Sequence, residues 1–93
     1  MRLRFYFDPE TGATHIAKHG VSEREVEEIL ENAKEDRQGR DGARIATGRT
    51  LFGRLLRVIY VPDQQSESYF VVTAFELKGK AALAYRRRRR KRS

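Results

Sequence analysis

Three runs in the second half of the chain constrain its fold most. RIATGRT (44–50), RLLRVIYV (54–61) and SYFVVTAF (68–75) are strand-like in composition and stand close together. Phe52-Gly53 marks the first connection and PDQQSE (62–67) the second. Connections this short leave no room for a crossover, so the runs predict an antiparallel meander.

The first half reads differently. RLRFYF (2–7) alternates Leu3, Phe5 and Phe7 against Arg2, Arg4 and Tyr6, the pattern of a half-buried strand. Asp8-Pro9-Glu10 reads as a helix start, with a short helix running to about residue 19. Gly20 suits a left-handed stop. Ser22 and Glu25 then form a capping box, and Val21 and Val26 sit at the two positions of a hydrophobic staple. Val26, Ile29 and Leu30 are the buried stripe of that second helix, with Glu23, Glu27, Glu28 and Glu31 facing water. KEDRQGRDGA (34–43) reads as a loop. The alanine-rich end predicts a closing helix from near Lys80 into the basic tail. The expected fold is α+β, in the order β-α-α-β-β-β-α, an antiparallel sheet with its helices to one side. Residues 1–85 form a single domain and residues 86–93 a basic tail.

Charge is concentrated in that tail. RRRRRKR (86–92) carries the whole formal net charge of +7, so residues 1–85 are neutral in sum. Seven adjacent cations repel one another in a core but bind a polyanion by displacing its counterions. A solvated tail serving solubility is the plainer alternative. The chain has no cysteine, and its apolar runs are too short to cross a bilayer. No apolar signal stretch opens it, so the expected location is cytoplasmic, away from membranes.

His15 and His19 are the only histidines. Four residues apart they resemble half of a zinc site, but a catalytic zinc needs a third protein ligand and no Glu lies between them. We therefore expect no metal and no cofactor. At a helix C-terminus His19 and Lys18 also have a structural use, as cations beside the negative end of the helix.

Pairing Thr50 with Leu55 would set Thr47 opposite Val58 and Ile45 opposite Tyr60. One face would then carry Ile45, Thr47, Arg49, Leu56, Val58 and Tyr60, the other Arg44, Ala46, Gly48, Leu55, Arg57 and Ile59. A one-residue slip would reassign both faces. Arg57, in a strand centre, must reach solvent, an internal carboxylate or a phosphate. Tyr60 and Tyr85 are core tyrosines or functional ones; Tyr85, beside the arginines, is placed to stack on a base.

Asp8, KHGVS (18–22) before an acidic helix, a basic small-residue strand, GR before LRVIY, VVTA and a closing helix with a tyrosine together resemble the BrnT-type toxins of bacterial type II toxin–antitoxin pairs. The similarity spans roughly residues 5–86, and related small families of unknown function share the same outline. It implies a RelE-like ribonuclease fold that cuts RNA without metal, and an antitoxin partner. Phe7 fills the place before the Asp where the family usually has tryptophan or another aromatic. Thr73-Ala74-Phe75 replaces a strand-end motif that carries a basic residue, which leaves Lys78 or Lys80 to supply the charge.

The resemblance implies His19 as a catalytic or RNA-contacting group. Metal-free cleavage needs a base for the ribose 2′-OH, cations for the phosphorane and an acid for the leaving oxygen. His19, Arg57 and Tyr85 are the catalytic candidates. Lys18, Arg49, Lys78, Lys80, Arg86, Arg87, Arg88, Arg89, Arg90, Lys91 and Arg92 are the RNA-binding candidates. The alternatives are a non-catalytic RNA- or ribosome-binding module and a protein-interaction domain, with RNA, an antitoxin or a second copy as partner.

Overall fold

The computed structural model describes residues 1–63 and 65–91, so Arg92 of the expected RNA-binding set lies outside the described residues. The elements are β1 (Arg2–Phe5), α1 (His15–Lys18), α2 (Glu23–Asn32), β2 (Glu35–Gln38), β3 (Arg44–Arg49), β4 (Leu55–Pro62), β5 (Ser68–Glu76) and α3 (Gly79–Lys91). The class is α+β. Among the described residues the sheet has five strands in the order β1-β5-β4-β3-β2.

The meander of the second half is present: β3, β4 and β5 pair antiparallel in succession. Two expectations about the sheet are corrected. It is mixed, because β1 joins the free edge of β5 in parallel, Arg2 beside Ser68 through Phe5 beside Val71. It is also wider, because Glu35–Gln38 forms a fourth antiparallel strand against β3 where a loop was expected. The order is therefore β-α-α-β-β-β-β-α.

The expected first helix shrinks to the four residues of α1. Asp8 closes a turn instead of capping a helix. Its carboxylate accepts from Glu10 N, its carbonyl from Gly12 N, and Phe7 bridges to Thr14. The joint that follows forms as its residues dictate. Gly20 takes φ 69°, a conformation that glycine adopts without strain. Ser22 and Glu25 make both bonds of the capping box, at 3.1 and 3.0 Å.

Consecutive strand residues point to opposite faces, and this sorts the core in two. Leu56, Val58 and Tyr60 of β4, with Ala46, Val71 and Ala74, pack against Ile16 of α1 and Val26 and Ile29 of α2. Leu55, with Leu77 and the flanking Phe75, packs instead against Ala82 and Tyr85 of α3. The helices therefore lie on both faces of the sheet, not on one. α3 takes the second face because Leu55 and Phe75 give it apolar ground there. On the first face a Cβ at Gly48 would stand 3.3 Å from Ala33 Cα, so the small residues of β3 let the end of α2 approach closely. No helix among the described residues is long and apolar enough to cross a membrane.

Candidate nucleic-acid interface

The hairpin register is one residue from the expected one. Thr47 stands opposite Arg57, Ile45 opposite Ile59 and Arg49 opposite Leu55. The slip redistributes the arginines. Arg49 and Arg57 now share the face that α3 partly covers, while Leu56, Val58 and Tyr60 go to the other. The strand pairings extend one row across the sheet: Glu35, Thr47, Arg57 and Phe75.

Arg57 is the unusual member of that row. It is half-buried, its Nε donates to Thr47 Oγ1 at 3.3 Å, and it forms no ion pair among the described residues. Burial, with repulsion from Arg37 and Arg88, lowers its pKa, while Glu35 opposes the shift. A guanidinium stays charged under such pressure, so the site holds a cation whose charge is only partly balanced.

The nearby carboxylate is already engaged. Glu35 accepts two bonds from Arg88, at 2.8 Å from Nε and 2.9 Å from Nη2. That pairing, opposed by burial and aided by Arg89 and Arg37, holds its carboxyl below the usual range. Arg89 donates to the carbonyl of Lys34 at 3.3 Å. Residues 86–91 of the basic tail therefore continue α3, which meets the start of the edge strand through Arg88 and Arg89. α3 runs through residues 85 and 86 without interruption.

Under this helix lies a cleft of about 380 Å³ lined by Asn32, Lys34, Arg49, Tyr85, Arg86 and Arg89. Tyr85 is buried in the α3 cluster, and its burial raises the phenol's pKa against the pull of Arg89, Arg49 and Arg88. Arg49 donates to the carbonyl of Gly53 at 3.0 Å. One face thus gathers Arg49, Arg57, Tyr85, Arg86, Arg88 and Arg89. Arg87, Arg90 and Lys91 are exposed further along α3.

The remaining candidates lie elsewhere. His19 is the exposed C-cap of α1, stacked on His15 at 5.4 Å between ring centroids. Its ring meets Phe75 edge-on at 6.2 Å, and Phe75 is the cross-strand partner of Arg57. No hydrogen bond or ring contact joins His19 to Arg57 among the described residues. Lys18 pairs with Asp8 at 2.9 Å. Lys78 and Lys80 are exposed where β5 turns into α3, away from the lining of the cleft. Tyr60 is a core residue on the opposite face. Its hydroxyl donates to Asp36 at 2.6 Å, and burial with this bond pushes its pKa up to about 12.

Sequence reasoning passed over Glu35, Arg37 and Lys34 because it read their segment as a loop. The Asp41-Gly42 pair was the available signal, since such dipeptides favour two-residue hairpin turns.

The model of a domain of unknown function, DUF4258, matches residues 12–76. The chain belongs to the DUF4258 family. No curated protein and no solved structure matches it. The DUF4258 span runs from before α1 to the last residue of β5. It includes Glu35, Arg49 and Arg57, while Tyr85 and the arginines of α3 lie beyond it.

Proposed function

We propose that this DUF4258 protein acts on RNA, holding a single strand against the arginine-lined face, as a metal-independent endoribonuclease of the BrnT toxin type with a RelE-like topology. The observation that carries the reading is Arg57, a half-buried arginine that forms no ion pair among the described residues. A phosphate would meet its charge, and Arg49, Arg86 and Arg89 line the cleft on the same side of the sheet.

The chemistry divides among named groups. The ribose 2′ oxygen attacks the adjacent phosphorus, the bond to the 5′ oxygen breaks, and a 2′,3′-cyclic phosphate and a free 5′-hydroxyl result. Arg57 and Arg49 stabilise the negative charge that gathers on phosphorus-bound oxygens. Tyr85, which lines the cleft, is the candidate donor to the leaving oxygen, and its burial, which raises the phenol's pKa, makes it a weaker acid there. His19 is the candidate base for the 2′ proton, on the far side of Phe75.

That separation favours a second reading, in which the same face binds RNA without cutting it. A labelled single-stranded RNA incubated with the protein and EDTA distinguishes the two. Cleavage that disappears in Arg57→Ala and falls in Tyr85→Phe supports the nuclease. Binding without cleavage selects the second reading. If neither occurs, the proposal fails.

A further inference from the structure

We infer that the sheet face beyond α3 carries a second nucleotide subsite, where Phe70 and Arg4 form a platform for one base of a single-stranded RNA. This deepens the RNA reading above and rests on it.

Arg4 and Phe70 are partners in the β1–β5 pairing, and Phe70 is opposite Val61 of β4. The guanidinium carbon of Arg4 stands 5.5 Å from the centre of the Phe70 ring. Beside them lies an open cleft of about 520 Å³ lined by Arg4, Val61, Pro62, Asp63 and Phe70. A guanidinium set over an aromatic ring, half open to water, can accept a further flat group, and every nucleobase offers one.

The platform shares its face with Arg57. Along β4 the side chains of Arg57, Ile59 and Val61 point the same way, opposite Phe75, Thr73 and Phe70 of β5. From Arg57 to Val61 the strand rises about 13 Å, a distance an extended oligonucleotide spans. The packing of α3 ends at Phe75, and Ile59, Val61, Thr73 and Phe70 are each only half-buried. Arg2 and Arg4 extend the positive charge along β1, and Asp63 is the acidic residue lining that cleft.

An acidic amphipathic helix is the competing occupant. Its apolar side would seal Arg57 beneath it without a partner, a costly arrangement. An RNA strand places phosphate at Arg57 and a base at Phe70, which satisfies both.

The test uses the whole protein and two fluorescent single-stranded RNAs, a dinucleotide and a decanucleotide. Phe70→Leu keeps the apolar packing and removes the aromatic face, and thermal melting verifies its fold. It should weaken decanucleotide binding about tenfold, the usual scale for one stacked base, and leave the dinucleotide unchanged. Arg57→Ala should weaken both. The inference is overturned if Phe70→Leu binds the decanucleotide like the parent while Arg57→Ala does not; the RNA reading then survives without the subsite. If the parent binds neither RNA, both fall together. Tight binding of an acidic helical peptide that Phe70→Leu abolishes, with no RNA binding, also overturns it.

Discussion

Arg88 of α3 grips Glu35 of β2 with two hydrogen bonds, at 2.8 and 2.9 Å, and so ties the basic end of the chain to the edge strand. Paired edges of this kind are geometrically specific as well as attractive. With both side chains partly exposed, at 43% and 20%, we expect the pair to contribute no more than about 1 kcal/mol. Glu35→Gln should therefore lower the melting temperature only slightly, yet speed amide exchange in residues 86–91 several-fold. Unchanged exchange there would show that the packing of Ala82 and Tyr85 and the Arg89 bond hold α3 without this pair.

The same pair sets an acid limit. The carboxyl of Glu35 titrates below its unfolded value of 4.5, so its contribution is present above that pH and is lost as pH falls through the lower folded value. Helix protection at the α3 end should decay below about pH 4.5 in the parent chain. In Glu35→Gln this dependence should be gone, as amide exchange across an acid series would reveal.

Arg57 makes the opposite kind of prediction. A half-buried cation without a carboxylate destabilises the fold that holds it. Arg57→Met should raise stability to urea by about 1 kcal/mol while reducing RNA affinity at least tenfold. A loss of stability instead would mean that the bond to Thr47 outweighs the uncompensated charge.

Tyr60 fixes the alkaline limit. Its folded pKa of about 12 lies above its ordinary value of 10, so its contribution is full below pH 10 and is lost as pH rises towards 12. Tyr60→Phe should cost about 1 kcal/mol at neutral pH and flatten the stability profile between pH 10 and 12. Urea titrations at stepped pH would detect a residual slope.

Packing offers a harder test. Ile29 is fully buried between α2 and the sheet, and Ile29→Ala should cost about 2–5 kcal/mol. Gly48→Ala would push a methyl to 3.3 Å from Ala33 and should destabilise the chain by about 1 kcal/mol, with the α2–β3 contact loosened. Chemical denaturation of both variants gives the comparison.

How far the sequence foretold this molecule depends on how local each signal is. The Ser22–Glu25 box and the Gly20 stop are complete within a few residues, and both formed. The closing helix was visible because alanine and arginine favour helix over a long stretch. β2 was hidden because Glu35-Asp36-Arg37-Gln38 has no apolar alternation; it is a strand because β3 offers it an edge. Asp8-Pro9-Glu10 fitted a helix start, but the carboxylate of Asp8 closes a turn instead and holds Lys18. The hairpin register was one residue out, and that single step decided which arginines meet. That Arg57, in mid-strand, needs either solvent or an anion was readable; the structure leaves it half-buried with a bond to Thr47. That Glu35 is already taken by Arg88 required the tertiary structure, since the two are far apart in the chain.

The parallel pairing of β1 with β5 has a consequence in time. Arg2 finds its partner at Ser68, so β1 cannot enter the sheet until the chain as far as β5 has been made. The hairpins of β2 to β5 need only near neighbours and can assemble while β1 waits. Synthesis therefore completes the sheet at β1, the earliest made of its strands. For a protein proposed to act on RNA, the Arg4–Phe70 pair waits for β5 and the arginine helix follows later still, so a nascent chain has no full binding face until α3 is made.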